Sequence, residues 1–216
     1  MADVKSLLST GVGKLGEGIH GWGLPAVETC PGRSQTCERV CYSNNRGRYR
    51  FDAVKARLSW NLSQALRDDF EDRMVAEIAK KGVQVLRVHT SGDFLSRDYA
   101  EKWLRIMRRK PRPRYYWYSR SWRCPDIAPT LEQMALLKCC RAWYSTDVDT
   151  GTPAVIPLGV RLAFLQVEEG QEPELLDLRF AVRKLRKKRL GLTMLCPNEH
   201  EQKKAENCGD CGLCYR

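Results

Sequence analysis

The chain repeats one grammar that few folds accommodate: a short apolar or aromatic run, a polar turn, then a segment of helical period. VQVLRVHT reads as a strand and runs into SGDFL. Ser96 then caps a helix whose Tyr99, Trp103, Ile106 and Met107 fall on one side. GIHGWG, RYYWYSRS, CCRAWYSTD, VRLAFLQV and LTMLCP read as further strands. Between them, apolar residues recur at helical spacing from Phe51 to Lys80, as one long helix or two, ended by Gly82. Thr130 and Gln133 form a capping box opening LEQMALLK, and PELLDLRFAVRKLRKKR reads as a basic helix stopped at Gly191. A crossover helix returns the chain to the same end of a sheet, so strands alternating with helices pair in parallel. With about six strands, too few to close a full barrel, the expected fold is α/β, a partial (β/α) barrel. The 216 residues are read as one domain: a cysteine loop region at 14–50, βα units at 51–195 and a cysteine cluster at 196–216.

The strands finish, one after another, in polar residues: HTSGD, YSRSWR, YSTDVD, QVEE and CPNE. In parallel α/β folds the carboxyl ends of strands face one crevice, where ligands bind. His89, Asp93, Arg120 and Asp147 are therefore candidate catalytic residues. Ser91, Gly92, Ser119 and Ser145, together with Asp93, are candidate cofactor contacts, and Gln166 joins the same rim. Ser, Gly and Asp also form turns for their own sake, so the set carries the argument rather than any single member.

Ten cysteines are many for such a chain, and seven of them fall into two clusters. No apolar run approaches the roughly 20 residues that span a bilayer, and the N-terminus lacks the pattern of a signal peptide. The expectation is a cytoplasmic protein whose cysteines ligate metal rather than form disulfides. Cys196, Cys208, Cys211 and Cys214 are spaced C-x11-C-x2-C-x2-C with intervening glycines, as in loops that wrap a cubane. A [4Fe–4S] cluster is favoured there over zinc, the alternative. Cys30, Cys37 and Cys41, spaced C-x6-C-x3-C, hold either a cluster with one iron open or a site completed by His20, Cys124 or Cys196. Adjacent Cys139 and Cys140 read as buried packing residues.

The net charge of +11 calls for an anionic partner, nucleic acid being the commonest. The runs RGRYRF, RRKPRPRYYWYSR and RKLRKKR support this, two of them interleaved with aromatics that could stack bases.

LPAVETCPGRSQTCERVCYS, VLRVHTSGDFLSRDYAEKWLRI, YYWYSRSWR, YSTD and the terminal CGDCGLCY resemble the phage and plasmid "gene product 88" family, over most of the chain. A looser similarity is to radical S-adenosylmethionine enzymes, which place three cysteines after the first strand of a partial barrel. Their usual C-x3-C-x2-C spacing differs from the one here. That resemblance implies a reactive cluster on Cys30, Cys37 and Cys41, an auxiliary one at the C-terminus, S-adenosylmethionine as cofactor and an electron donor as partner. The competing expectation is a nucleic-acid-binding accessory protein whose iron–sulfur or zinc sites are structural or redox-sensing.

Overall fold

The structure is a computed structural model describing residues 6–10, 13–44, 47–171, 173–185, 194–199 and 205–216. Six strands, β1 (Ile19–Gly21), β2 (Val85–Arg87), β3 (Arg114–Ser119), β4 (Cys140–Thr146), β5 (Val160–Gln166) and β6 (Leu178–Ala181), hydrogen-bond in chain order. Every pairing is parallel, with registers such as Leu86 opposite Tyr115 and Trp117 opposite Ala142. The result is an open, half-barrel sheet.

The period-2 alternation of these strands sorts their side chains between two environments. Leu86, Tyr115, Trp117, Ala142, Tyr144 and Leu162 join the main core. Four helices bring its other wall: α2 (Asp52–Ala65), α3 (Phe70–Lys80), α4 (Arg97–Arg109) and α5 (Ala128–Ala135). Phe70, Met74, Tyr99, Trp103, Met107 and Leu131 are fully buried in it. The opposite, concave face presents Ile19, Tyr116, Tyr118, Trp143, Ala163 and Phe180, and its apolar partners come from the C-terminal segment: Cys196, Cys208, Cys214 and Tyr215. Cys139 and Cys140 are buried in the main core, as expected of packing residues.

Of the two readings of the Phe51–Lys80 run, the structure has two helices, parted at residues 66–69. Two other expectations need correction. Helix α5 begins at Ala128, with Pro in its first turn and no side-chain cap, so Thr130 is already helical and forms no capping box. PELLDLRFAV is not helical: Leu178–Ala181 is the edge strand β6, on which Arg179 donates to Gln166 Oε1 at 2.8 Å. Pairing with the open edge of β5 satisfies backbone groups that intrinsic helix propensity cannot outweigh. The basic run continues through a short turn at Arg183–Leu185, and residues 186–193, including Gly191, lie outside those described. Leu195 of the expected last strand makes a single parallel bridge to Arg179. Among the described residues no helix is long and apolar enough to cross a membrane.

Candidate active site on the concave face

The first cysteine loop leaves β1 and is anchored by the loops that follow β3 and β4. Ser34 caps the short helix α1 (Gln35–Val40), accepting from Cys37 N at 2.9 Å while its hydroxyl donates to Asp147 Oδ2 at 2.6 Å. Asp147 also accepts from Arg120 (3.0 Å) and, through Oδ1, from the backbone N–H groups of Asp149 and Thr150. Asp149 in turn accepts from Thr36 N at 2.7 Å. Gly32 lies backbone to backbone on the β3 loop, where an added Cβ would stand 1.9 Å from the Arg120 carbonyl oxygen. Gly92, at φ +76°, is also tightly packed: an added Cβ would stand 2.5 Å from Thr29 Oγ1 and 2.7 Å from Leu24 Cβ.

These contacts set Cys30, Cys37 and Cys41 along one wall of a cavity of about 630 Å³. Cys196, Cys208 and Cys214 line it as well. Cys208 and Cys211 bound the single turn α6 (Cys208–Cys211), capped by Asn207 and ended by Gly212 in the left-handed region at φ 67°. That turn is pinned to the sheet: Tyr118 donates its hydroxyl to Cys214 Sγ at 2.8 Å, and the Trp143 indole donates to the Cys214 carbonyl at 3.0 Å. Cys30, Cys37 and Cys41 are electrostatic neighbours of one another, and Cys196, Cys208, Cys211 and Cys214 form a second such group. Burial, then the nearby Asp93, pushes the Cys30 thiol up to about 12, and burial pushes Cys214 up to about 11. Among the described residues no three His, Cys, Asp or Glu side chains stand at the spacing that one metal ion requires, so the cysteine-rich loops are present without a mononuclear site.

Two residues weighed as completing the first cluster, His20 and Cys124, do not line the cavity. His20 has Lys81 and Glu77 as its charged neighbours, whereas Cys124 shares the neighbour Asp93 with Cys30. Cys196 groups with the C-terminal cysteines.

Of the rim residues expected from the strand ends, His89, Ser91, Gly92, Asp93, Arg120 and Ser145 line the cavity; Ser119, Asp147 and Gln166 do not. The latter three serve the scaffold. Ser119 donates to Asp93 Oδ1 at 2.6 Å, and Asp93 further accepts from Arg120 N and Phe94 N at 2.8 Å each. Asp93 is therefore first the knot joining the β2 and β3 loops, and burial raises its pKa despite these donors. Ser91 Oγ is buried without a hydrogen-bond partner.

His89 adopts φ +66°, a conformation His tolerates better than most residues, and packs edge-on against Phe94. The Trp22 indole donates to Tyr99 Oη at 2.8 Å, leaving the Tyr99 proton for His89 Nε2 at 3.0 Å. The network thus assigns the neutral ring proton to Nδ1. Burial, then Arg87, pulls His89 down to about 3. At neutral pH the ring is neutral, hydrogen-bonded to Tyr99 and lining the cavity. The folded pKa lies below the unfolded value of about 6.5, so between these values the unfolded state binds the extra proton. Stability from this group is complete above about pH 6.5 and falls as pH drops toward 3. Urea midpoints of wild type and His89→Asn should accordingly differ by a fixed offset above pH 7 and converge on acidification. A gap that stays constant down to pH 4 would contradict the buried neutral ring.

Sequence reasoning passed over the sheet's own contribution to the cavity: Arg87, Tyr116, Tyr118 and Phe180, with Tyr42 and Tyr49 near the mouth. The signal was available. Val85 and Arg87 alternate along β2 and so share the face that the helices leave open.

The Gene product 88 family profile matches residues 5–216. The chain belongs to the Gene product 88 family. Among family relatives, the Gene 88 protein of Mycobacterium phage L5 is 27% identical over 213 residues, covering 89% of this chain and 81% of its own. The Gene 88 protein of Mycobacterium phage D29 is 26% identical over 216 residues with the same coverage. No solved structure matches. For the Gene product 88 family, then, the half-barrel and its two cysteine groups stand as features of this chain's own structure.

Proposed function

We propose that the protein is an iron–sulfur enzyme of radical S-adenosylmethionine type. One observation carries the reading: a cysteine trio just after the first strand of a parallel half-barrel, and a second cysteine group, face one cavity on the concave side of the sheet. The donor set suits a cubane better than zinc. A zinc ion bound at about 2.3 Å draws its thiolates close together, whereas a [4Fe–4S] cluster assigns one iron to each thiol and takes thiols set further apart. A bare thiolate at Cys30 is disfavoured by burial and by Asp93, so the charge of a metal centre is what would hold it deprotonated.

When bound at Cys30, Cys37 and Cys41, a [4Fe–4S] cluster would leave one iron without a protein thiolate and would supply one-electron reduction of S-adenosylmethionine. The chain's own residues supply the rest. The Ser34–Asp147–Arg120 clasp fixes the trio's loop, and Asp93 holds the adjacent wall. Ser91 Oγ offers an unsatisfied hydroxyl there. Cys196, Cys208, Cys211 and Cys214 would carry the second cluster, and an external electron donor is the partner.

Anaerobically purified protein is expected to be brown, with about eight irons and matching sulfide per chain. Cys30→Ser is expected to lose about half of that. Titration with S-adenosylmethionine should then perturb the wild-type electron paramagnetic resonance spectrum and leave that of the variant unchanged. Zinc without iron would end this reading.

A nucleic-acid partner is the second reading, supported by the net charge of +11. Of the aromatics in the basic runs, Tyr115 and Trp117 are buried in the main core and Tyr116 beneath the concave face, whereas Phe51 is exposed with Arg50 over its ring at 5.2 Å. Loss of binding to single-stranded DNA between low and moderate salt would separate a charge-driven contact from a specific one.

A further inference from the structure

Arg87 is an anomaly of the concave face. Its guanidinium lies over the rings of Tyr118 (5.5 Å) and Tyr116 (6.0 Å), and it lines the cavity. Among the described residues it makes no ion pair, and its Nε is buried without a hydrogen-bond partner. Of the other cations lining the cavity, Lys14 pairs with Glu199 at 3.2 Å, Arg33 with Glu38 at 2.8 Å and Arg120 with Asp147 at 3.0 Å, while Arg48 donates to Tyr49 Oη at 3.3 Å and lies over the Tyr49 ring. The one other carboxylate lining it, Asp93, is taken up by Ser119, Arg120 N and Phe94 N. Desolvating a guanidinium without a counter-ion is costly, and an apolar residue would fill the same strand position at no such cost. A fixed planar fork in an aromatic-walled cavity is, by contrast, well suited to bind a carboxylate or phosphate two-pronged while the ligand's body packs on the rings.

We infer that the cavity binds a small anionic molecule with a planar apolar body, its carboxylate or phosphate group received by Arg87 and its body packed against Tyr118 and Phe180. The volume of about 630 Å³ lies within the range of small-molecule sites and is far too small for a nucleic-acid duplex. The inference rests on the cavity and on Arg87, and holds whichever metal the thiols take.

The test uses purified full-length protein, with iron, sulfide and zinc measured on every sample. Binding of 4-hydroxyphenylacetate, phenyl phosphate, inorganic phosphate and the neutral 4-hydroxyphenylacetamide is followed by calorimetry for wild type, Arg87→Lys and Arg87→Met. Charge-assisted hydrogen bonds of the usual strength predict that Arg87→Met weakens the aromatic anions about tenfold to a hundredfold. The neutral amide should bind both proteins equally, metal content should not change, and Arg87→Lys should fall between. Preference for phenyl phosphate over 4-hydroxyphenylacetate, or the reverse, identifies the anionic group. Three results would each overturn the inference: no binding of any probe by wild type, equal anion affinities in wild type and Arg87→Met, or loss of iron in Arg87→Met with anion affinity retained. The last would make Arg87 the counter-ion of a cluster. Inorganic phosphate binding as well as the aromatic anions would remove the planar body from the inference and so overturn that part.

Discussion

Replacing Asp147 by alanine is expected to cost about 3–5 kcal/mol, the usual penalty for stranding the partner of a buried ion pair. For a chain of this size that corresponds to a fall in melting temperature of roughly 6–20 °C. The carboxylate is completely buried and holds four things together: the Ser34 hydroxyl, the Arg120 guanidinium and the N–H groups of Asp149 and Thr150. Ser34 belongs to the cysteine loop, Arg120 to the β3 loop, and Asp147 itself to the β4 loop. Removing the carboxylate leaves the largely buried Arg120 cation without its counter-ion and the Ser34 hydroxyl, which caps α1, without its acceptor. The double variant Asp147→Ala/Arg120→Met tests the mechanism, because it removes the stranded charge as well. It should be more stable than Asp147→Ala alone, a coupling that thermal melts of all four proteins would measure. Additive losses would mean that the ion pair is incidental and the hydrogen bonds to the loop dominate.

Gly32→Ala is expected to displace the cysteine loop while leaving the sheet intact. The added methyl would stand 1.9 Å from the Arg120 carbonyl oxygen and 2.5 Å from its carbon, both backbone atoms with no rotamer to yield. Either the loop lifts or the β3 loop moves, and overpacking of this kind costs about 1–3 kcal/mol. Because Gly32 sits two residues from Cys30, the displacement falls on the proposed cluster. The readouts are iron per chain and far-ultraviolet circular dichroism on the same sample. About half of the iron should be lost with the spectrum unchanged, since the C-terminal cysteines are held separately by Tyr118 and Trp143. Full iron retention would show that the loop tolerates the shift and that the close approach does not position the trio.

Much of the fold was legible in the residues because the signals there are local. Ser96 is the cap of α4, its hydroxyl accepting from Tyr99 N, and the aromatic runs at Arg114–Ser119 and Cys140–Thr146 are strands. Alternation with helices is what makes the sheet parallel. Legibility failed where the decisive partner was distant in sequence. Leu178–Ala181 carries a helix-compatible pattern, and only the unpaired edge of β5 makes it a strand. The surroundings of His89, buried against Phe94 and hydrogen-bonded to Tyr99, were equally out of reach of local pattern.

The sequence by itself determined which chemistry the chain carries: ten thiols in a fixed spacing, a strong positive charge, and polar residues at the ends of successive strands. These are properties of residue type and order. Tertiary structure decided which of them share one space. It brought two cysteine groups more than 150 positions apart, as Cys41 and Cys196 are, to one cavity, bound Asp147 and Ser119 into the loops around it, and turned Arg87 into that space with no counter-ion among the described residues. Those outcomes depend on sheet curvature, backbone contact at Gly32 and the electrostatics of burial, each a relation between segments that no single segment encodes.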